Sequence, residues 1–288
     1  MTSGTLRGVH ECFDLTITDG VAHLQLKRPD VYNTMIPSFW TELPAIVADI
    51  DRGAGARVIV ISSTGKHFCA GMDLSVFTGS GGLGGSGGSK EEGRRKSFLW
   101  MMVQQLQDSF TALEQARMPV LAAVQGGCIG GAVDMVSAAD MRYCSADAFF
   151  CVQEINIGMT ADVGTLQRLP KIIPEGIARE LAYTGDKMTA ERALACGLVN
   201  QVFDDHEQLV DGTLEIAARI AGHSPLAIWG TKEAINYTRD HSVADSLRHI
   251  AGWQSGMFVG TDMMEAFAAK SEGRDPVYDD LPTRPDSI

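Results

Sequence analysis

Three acidic residues stand in surroundings where a carboxylate is uncommon. Asp134 follows a glycine-rich turn, Glu154 lies inside the apolar stretch from Phe149 to Ile157, and Asp162 sits between Ala161 and Val163. Burial raises a carboxyl pKa toward neutrality, and two such groups on one pocket can take a proton from a carbon skeleton and return one elsewhere. Two glycine-bearing turns could handle the negative charge that such chemistry creates. One is Lys66-His67-Phe68-Cys69-Ala70-Gly71-Met72-Asp73-Leu74, and the other runs from Gln125 through Gly126, Gly127, Gly130 and Gly131 to Asp134. Glycine lets the backbone approach a ligand with its N–H groups turned inward, and a pair of these makes an oxyanion hole. Spacing alone leaves ordinary roles open: Asp134 as a helix-surface residue, Glu154 as the polar side of an edge strand, Asp162 as an N-cap. His67 could act as a base, although a lone histidine at the start of a loop more often has a structural role. The sequence has no His-Glu-x-x-His zinc pattern and no convincing Ser-His-Asp arrangement.

Elements that could position these residues are legible on either side of them. Phe13, Leu15 and Ile17, then Asp19-Gly20, then Ala22, Leu24 and Leu26 read as a β-hairpin. Apolar residues at helical spacing from Pro37 to about Asp51 precede a β-branched run, Val58 to Ile61, that reads as a buried strand. A helical stretch from about Ser97 to Gln115 leads into a second such strand, Val120 to Val124, and Met141 to Cys144 offers a third. Each glycine-bearing turn thus follows a buried strand directly. The alternation predicts an α/β core. After about Gly164 the pattern is almost wholly helical, with stretches near 175–184, 189–195, 207–221, 225–237, 241–258 and 261–270. The expected organisation is an α/β core domain over 1–205 and a C-terminal helical region over 206–288. Apolar residues of the last helices, including Trp253, Met257, Phe258, Met263, Met264 and Phe267, could pack internally or on a neighbouring subunit.

Composition narrows the function classes. With 24 Lys+Arg against 36 Asp+Glu, a net charge of −12, the chain lacks a broad cationic surface, so nucleic acid is not an expected partner. The six cysteines are dispersed without a Cys-x-x-Cys pair and read as reduced thiols, and no metal site is expected. No segment approaches the ~18 apolar residues of a membrane helix. Asn236-Tyr237-Thr238 matches a glycosylation sequon that, with no secretory signal, reads as chance. Between Gly79 and Gly88 seven of ten residues are glycine, and with the charged run Lys90 to Lys96 this stretch is expected to be a flexible loop. It also holds accidental matches to a dinucleotide fingerprint (Gly82, Gly84, Gly87) and a nucleophile elbow (Gly84, Ser86, Gly88), neither preceded by the strand that such motifs need.

The Phe68 to Leu74 turn and the Gly126 to Asp140 segment resemble the two oxyanion-hole turns of the crotonase (enoyl-CoA hydratase/isomerase) superfamily, and the resemblance extends from about Phe13 to Ala269. Within it, Gly126 to Gly131, Asp140 to Cys144, Asp147 to Phe150, Ala161 to Pro170 and Asp240 to Ala244 are similar to the Δ3,5-Δ2,4-dienoyl-CoA isomerase branch. The resemblance implies a spiral of β-β-α units with a C-terminal helical trimerisation layer, hence a homotrimer or homohexamer. It implies an acyl-CoA thioester as substrate, CoA being part of that substrate, and no separate cofactor. The backbone N–H groups of Met72 and Gly131 would bind the thioester oxygen. Asp134 and Glu154 fall where hydratases carry their two catalytic glutamates, and Asp162 is an addition. By that resemblance Glu154 would take a proton from C2 and Asp162 would deliver one at C6, with Asp134 polarising or orienting the pair. CoA contacts would come from Ala70, Gly71, Asp73 and Leu74, with Arg28 a further candidate. Ala132, Gln153 and Asn156 depart from the branch, which more often has glycine, lysine and aspartate there. Alternatives are an enoyl-CoA hydratase using Asp134 and Glu154, or a non-catalytic acyl-CoA-binding member. The chain ends Asp286-Ser287-Ile288 rather than in the peroxisomal Ser-Lys-Leu, which gives the expectation of a cytoplasmic protein.

Overall fold

The computed structural model describes residues 10–73, 75–76, 91–258 and 260–285. The expected hairpin is present: β1 (Phe13–Thr18) and β2 (Val21–Leu26) pair antiparallel around Asp19-Gly20. From β2 onward the sheet is parallel, through β3 (Val58–Ser63), β4 (Val120–Val124), β6 (Met141–Ser145) and β9 (Gln201–Phe203), in the order β1-β2-β3-β4-β6-β9. A second, three-stranded sheet contains β5 (Gly127–Ile129), β7 (Phe149–Cys151) and β8 (Met188–Thr189). Strands of two or three residues are too short to show a sequence period, which is why β5, β7, β8 and β9 were not expected.

Both faces of the parallel sheet are covered, and this explains the uninterrupted apolar runs of β3 and β4. Ile59 and Ile61 face the main core with Phe39, Phe68, Phe110 and Phe150, while Val58, Val60, Leu121 and Ala123 face the other way. That second face is closed by Leu209, Ala217 and Ala221 of α7 (His206–Ala221). Two helices close the main core, α1 (Phe39–Gly53) and α2 (Glu92–Gln115). On α2 the buried residues Leu106, Phe110 and Leu113 recur at helical spacing.

Helix α2 corrects one expectation. The charged run after Lys90 is not loop: the helix begins at Glu92, five residues before the expected start. The Glu91 carboxylate caps it, accepting from the Gly93 and Arg94 amides at 2.7 and 2.9 Å, and Lys96 pairs with Glu92 at 2.7 Å. Local capping and an i,i+4 ion pair thus sustain a turn that buries nothing. The glycine-dense stretch from Gly79 to Ser89, with its two accidental motifs, lies outside the described residues.

The site is framed by α3 (Gly131–Ser137) and α4 (Thr165–Arg168), followed by α5 (Glu175–Thr184) and α6 (Ala190–Cys196). The C-terminal layer contains α8 (Pro225–Thr238), α9 (Val243–Met257) and α10 (Gly260–Glu272). Among the described residues no helix is long and apolar enough to cross a membrane.

Candidate active site

The two glycine-bearing turns leave the carboxyl ends of the adjacent parallel strands β3 and β4, a position where open α/β sheets commonly form crevices. Their backbones are fastened together: Phe68 N–H donates to Gln125 O at 2.8 Å, Cys69 N–H to Gly127 O at 3.1 Å, and Ile129 N–H to Cys69 O at 3.1 Å. On its other side the first turn bridges the segment before α1, where Met35 N–H donates to Gly71 O and Asp73 N–H to Met35 O. That pairing leaves the Met72 amide out of the ladder, next to the Gly131 amide that opens α3. A Cβ on Gly131 would lie 3.9 Å from Met72 N. Gly71 allows this approach, with φ +86° and only 2.6 Å between a would-be Cβ and Ile129 O.

The three carboxylates converge beside these amides. Asp134 lies one helical turn after Gly131 and is 1% exposed, so it is not a helix-surface residue. Its Oδ1 accepts the Thr165 amide at 2.6 Å, so this side chain holds the start of α4. Burial, together with the nearby charge of Asp162, pushes its pKa up to about 6 against the opposing Thr165 hydrogen bond. Glu154 opens a 3-10 turn, Glu154–Ile157, rather than lying in a strand. Its Oε1 is 3.2 Å from where a Cβ on Gly130 would be, and its buried Oε2 has no hydrogen-bond partner among the described residues. Burial, then the charges of Asp134 and Asp162, raises its pKa to about 7. Asp162 is exposed in the single chain, yet partial desolvation raises its carboxyl above its ordinary value. It is not an N-cap; Gly164 occupies that position.

Around the turn, Asp73 accepts Thr34 Oγ1 at 3.0 Å and Ser75 N–H at 2.9 Å, and the Ser75 contact chiefly holds its pKa below the usual value. Arg28, half-buried, donates to Thr34 O at 2.9 Å and lies within electrostatic reach of Asp73. The Ala70 amide donates to Tyr32 O at 3.0 Å. Leu74 lies outside the described residues. His67 accepts the Gly127 amide on Nδ1 at 3.0 Å and packs against the Tyr32 and Phe149 rings, a structural position. Ala132 is fully buried, and Asn156 ties Gln153 Oε1 to Gly185 O beside Glu154. Sequence reasoning missed Thr165, Gln107 and Arg168. Gln107 Nε2 donates to the Asp162 carbonyl at 2.7 Å, and Arg168 pairs with Glu114 at 3.0 Å.

Comparison with known proteins places the chain. Residues 16–281 match the model of the family described as enoyl-CoA hydratase/isomerase. The chain belongs to that family. A mitochondrial Δ3,5-Δ2,4-dienoyl-CoA isomerase from Pongo abelii is 44% identical over 256 residues, 88% of this chain and 77% of that protein. The peroxisomal protein of the same name from Arabidopsis thaliana is 40% identical, covering 90% and 92%. An enoyl-CoA hydratase from Bacillus anthracis superposes with a TM-score of 0.80 at 28% identity, covering 93% of this chain and 99% of that one. The crotonase-type α/β fold expected from the resemblance is therefore the fold observed. The cytoplasmic expectation is overturned, because these relatives are mitochondrial or peroxisomal by name.

Proposed function

We propose that this crotonase-family chain isomerises 3,5-dienoyl-CoA to 2,4-dienoyl-CoA, in the oxidation of unsaturated fatty acids. One observation carries the reading: a third carboxylate, Asp162, stands within electrostatic reach of Asp134 and Glu154 at the two free amides. The relatives that share 40–44% identity carry the corresponding name.

Glu154, half-neutral near pH 7, takes the C2 proton. The electron pair left at C2 delocalises into the thioester carbonyl, whose oxygen is held by the Met72 and Gly131 amides; one such donor is worth about 2.7–4 kcal/mol. The same pair extends along the diene, so that C6 becomes nucleophilic and takes a proton from Asp162. The double bonds move from C3 and C5 to C2 and C4. One proton is lost and one gained, and exchange with water restores Glu154 and Asp162. Asp134, fixed by Thr165, keeps the pKa of Glu154 high by its charge. CoA enters as part of the substrate, with Arg28, Ala70, Gly71, Asp73 and Leu74 around its entrance, and the scheme needs no separate cofactor.

A homotrimer or homohexamer forms through the C-terminal layer in this reading, where Ile235, Met257, Phe258 and Met263 are exposed along a groove of about 580 Å³ between α8, α9 and α10, and Leu247, Met264 and Phe267 are exposed on the same helices. The experiment is direct: incubation with a 3,5-dienoyl-CoA should give the ultraviolet absorbance of a conjugated 2,4-diene. Absence of that product alongside rapid hydration of a 2-enoyl-CoA would make the chain a hydratase working with Asp134 and Glu154.

A further inference from the structure

The segment that carries Asp162 is anchored in the core by Ala161 and Val163, and Asp162 between them is exposed. It faces α2 across a cleft of about 360 Å³ lined by Gln107, Thr111, Glu114, Val163, Gly164 and Arg168, among others. Gln107, Thr111 and Glu114 are spaced i, i+4, i+7 and so share one face of α2, adjacent to the face on which Leu106, Phe110 and Leu113 anchor the helix in the core. This polar face grips the segment at two points. Gln107 Nε2 donates to the Asp162 carbonyl at 2.7 Å. Arg168 reaches back so that its Nη1 lies 1.9 Å from where a Cβ on Gly164 would be, while its guanidinium bonds Glu114 Oε2 at 3.0 and 3.1 Å and Thr111 Oγ1 at 3.2 Å. Glu114 is held in turn by Arg239. A further fixed point of the segment is the Thr165 amide on Asp134. The Asp162 carboxylate itself accepts no hydrogen bond from another residue among those described, so its aim depends on its backbone.

We infer that Gln107 is a positioning residue for the C6 proton transfer: its hydrogen bond across the cleft sets the direction of Asp162 without contributing to proton removal at C2. The inference rests on the isomerase reading. Glu154 and the Gly131 amide follow β7 and β5, whose backbones pair with each other, and neither they nor Met72 share a hydrogen bond with Gln107. Loss of the Gln107 bond slows delivery at C6, while the dienolate still forms and returns its proton to C2.

The test is a partition ratio. Wild type, Gln107→Met and Gln107→Lys are incubated with 3,5-dienoyl-CoA in deuterium oxide, and deuterium at C2 of recovered substrate is compared with 2,4-diene formed. Gln107→Met, which cannot donate, is expected to lower kcat roughly tenfold with KM changed less than about twofold, and to raise the exchange-to-product ratio by a similar factor. Gln107→Lys, which keeps a donor, is expected to recover most of both. An unchanged ratio in Gln107→Met, or no recovery in Gln107→Lys, overturns the inference. Failure of the wild type to form any diene instead removes the isomerase reading, a distinguishable outcome.

Discussion

The two halves of the site are built by different means. The half proposed to stabilise charge, the turns around Met72 and Gly131, is fixed by backbone hydrogen bonds between adjacent segments and depends little on side chains beyond its glycines. The half proposed to move protons depends more on side chains: Glu154 stands on a single 3-10 turn, and Asp162 on a segment that the Gln107, Arg168 and Asp134 side chains tie down beside its core residues Ala161 and Val163. A backbone-built half can serve any reaction that develops charge on a thioester oxygen. In the proposed reaction the side-chain half determines where protons leave and arrive, so that one added carboxylate there changes the product.

The sharpest way to break this contrast is to remove the base. Glu154→Gln is expected to lower kcat by about 10³-fold with substrate binding retained, measured by steady-state kinetics and by calorimetric binding of a product analogue. The same variant has a stability signature. The folded pKa of Glu154 is raised from 4.5 to about 7, so its ionised form costs stability above that range, and the cost disappears below the unfolded value. Glu154→Gln should therefore melt higher than wild type at pH 8, by on the order of 1–3 kcal/mol, with the gain fading as pH falls from 7 toward 4.5.

Striking the backbone half should cost less, yet still act through geometry. Gly71→Ala places a methyl against Ile129 O in a left-handed conformation and shifts the Met72 amide, with an expected loss of about 10²-fold in kcat. A third measurement sharpens the contrast through pH. Protonation of Glu154 gives kcat/KM an acidic limb near pH 7. Gly71→Ala should lower the whole curve without moving that limb. The smallest effect is expected for Met72→Leu, under about threefold in kcat, since only the amide of residue 72 is used. A loss as large as that of Gly71→Ala would show that the side chain takes part.

Much of the frame was legible because long elements impose a period. The hairpin, the strands at Val58 and Val120, and the C-terminal helices fall within a few residues of their expected bounds. The site was legible in parts. The turns could be placed because glycines directly follow buried strands, and the acids stood out against apolar neighbours. Spacing could not decide whether Asp134 was exposed, because its burial comes from α4, 31 residues away. Nor could it show Gln107 at work, because the contact spans 55 residues and the polar stripe of α2 reads as a solvated face until the Asp162 segment is laid across it. The start of α2 was missed for a local reason, since a charged run looks like loop unless its Glu91 cap is recognised.

The most direct test of the central claim follows hydrogen at two carbons in Asp162→Asn. With 3,5-dienoyl-CoA in deuterium oxide, nuclear magnetic resonance reports exchange at C2 and appearance of the 2,4-diene separately. The structure leads to a fall of roughly 10²-fold or more in diene formation while C2 exchange continues near the wild-type rate. Isomerisation at full rate in Asp162→Asn would contradict the account, because the third carboxylate would then carry no proton to C6.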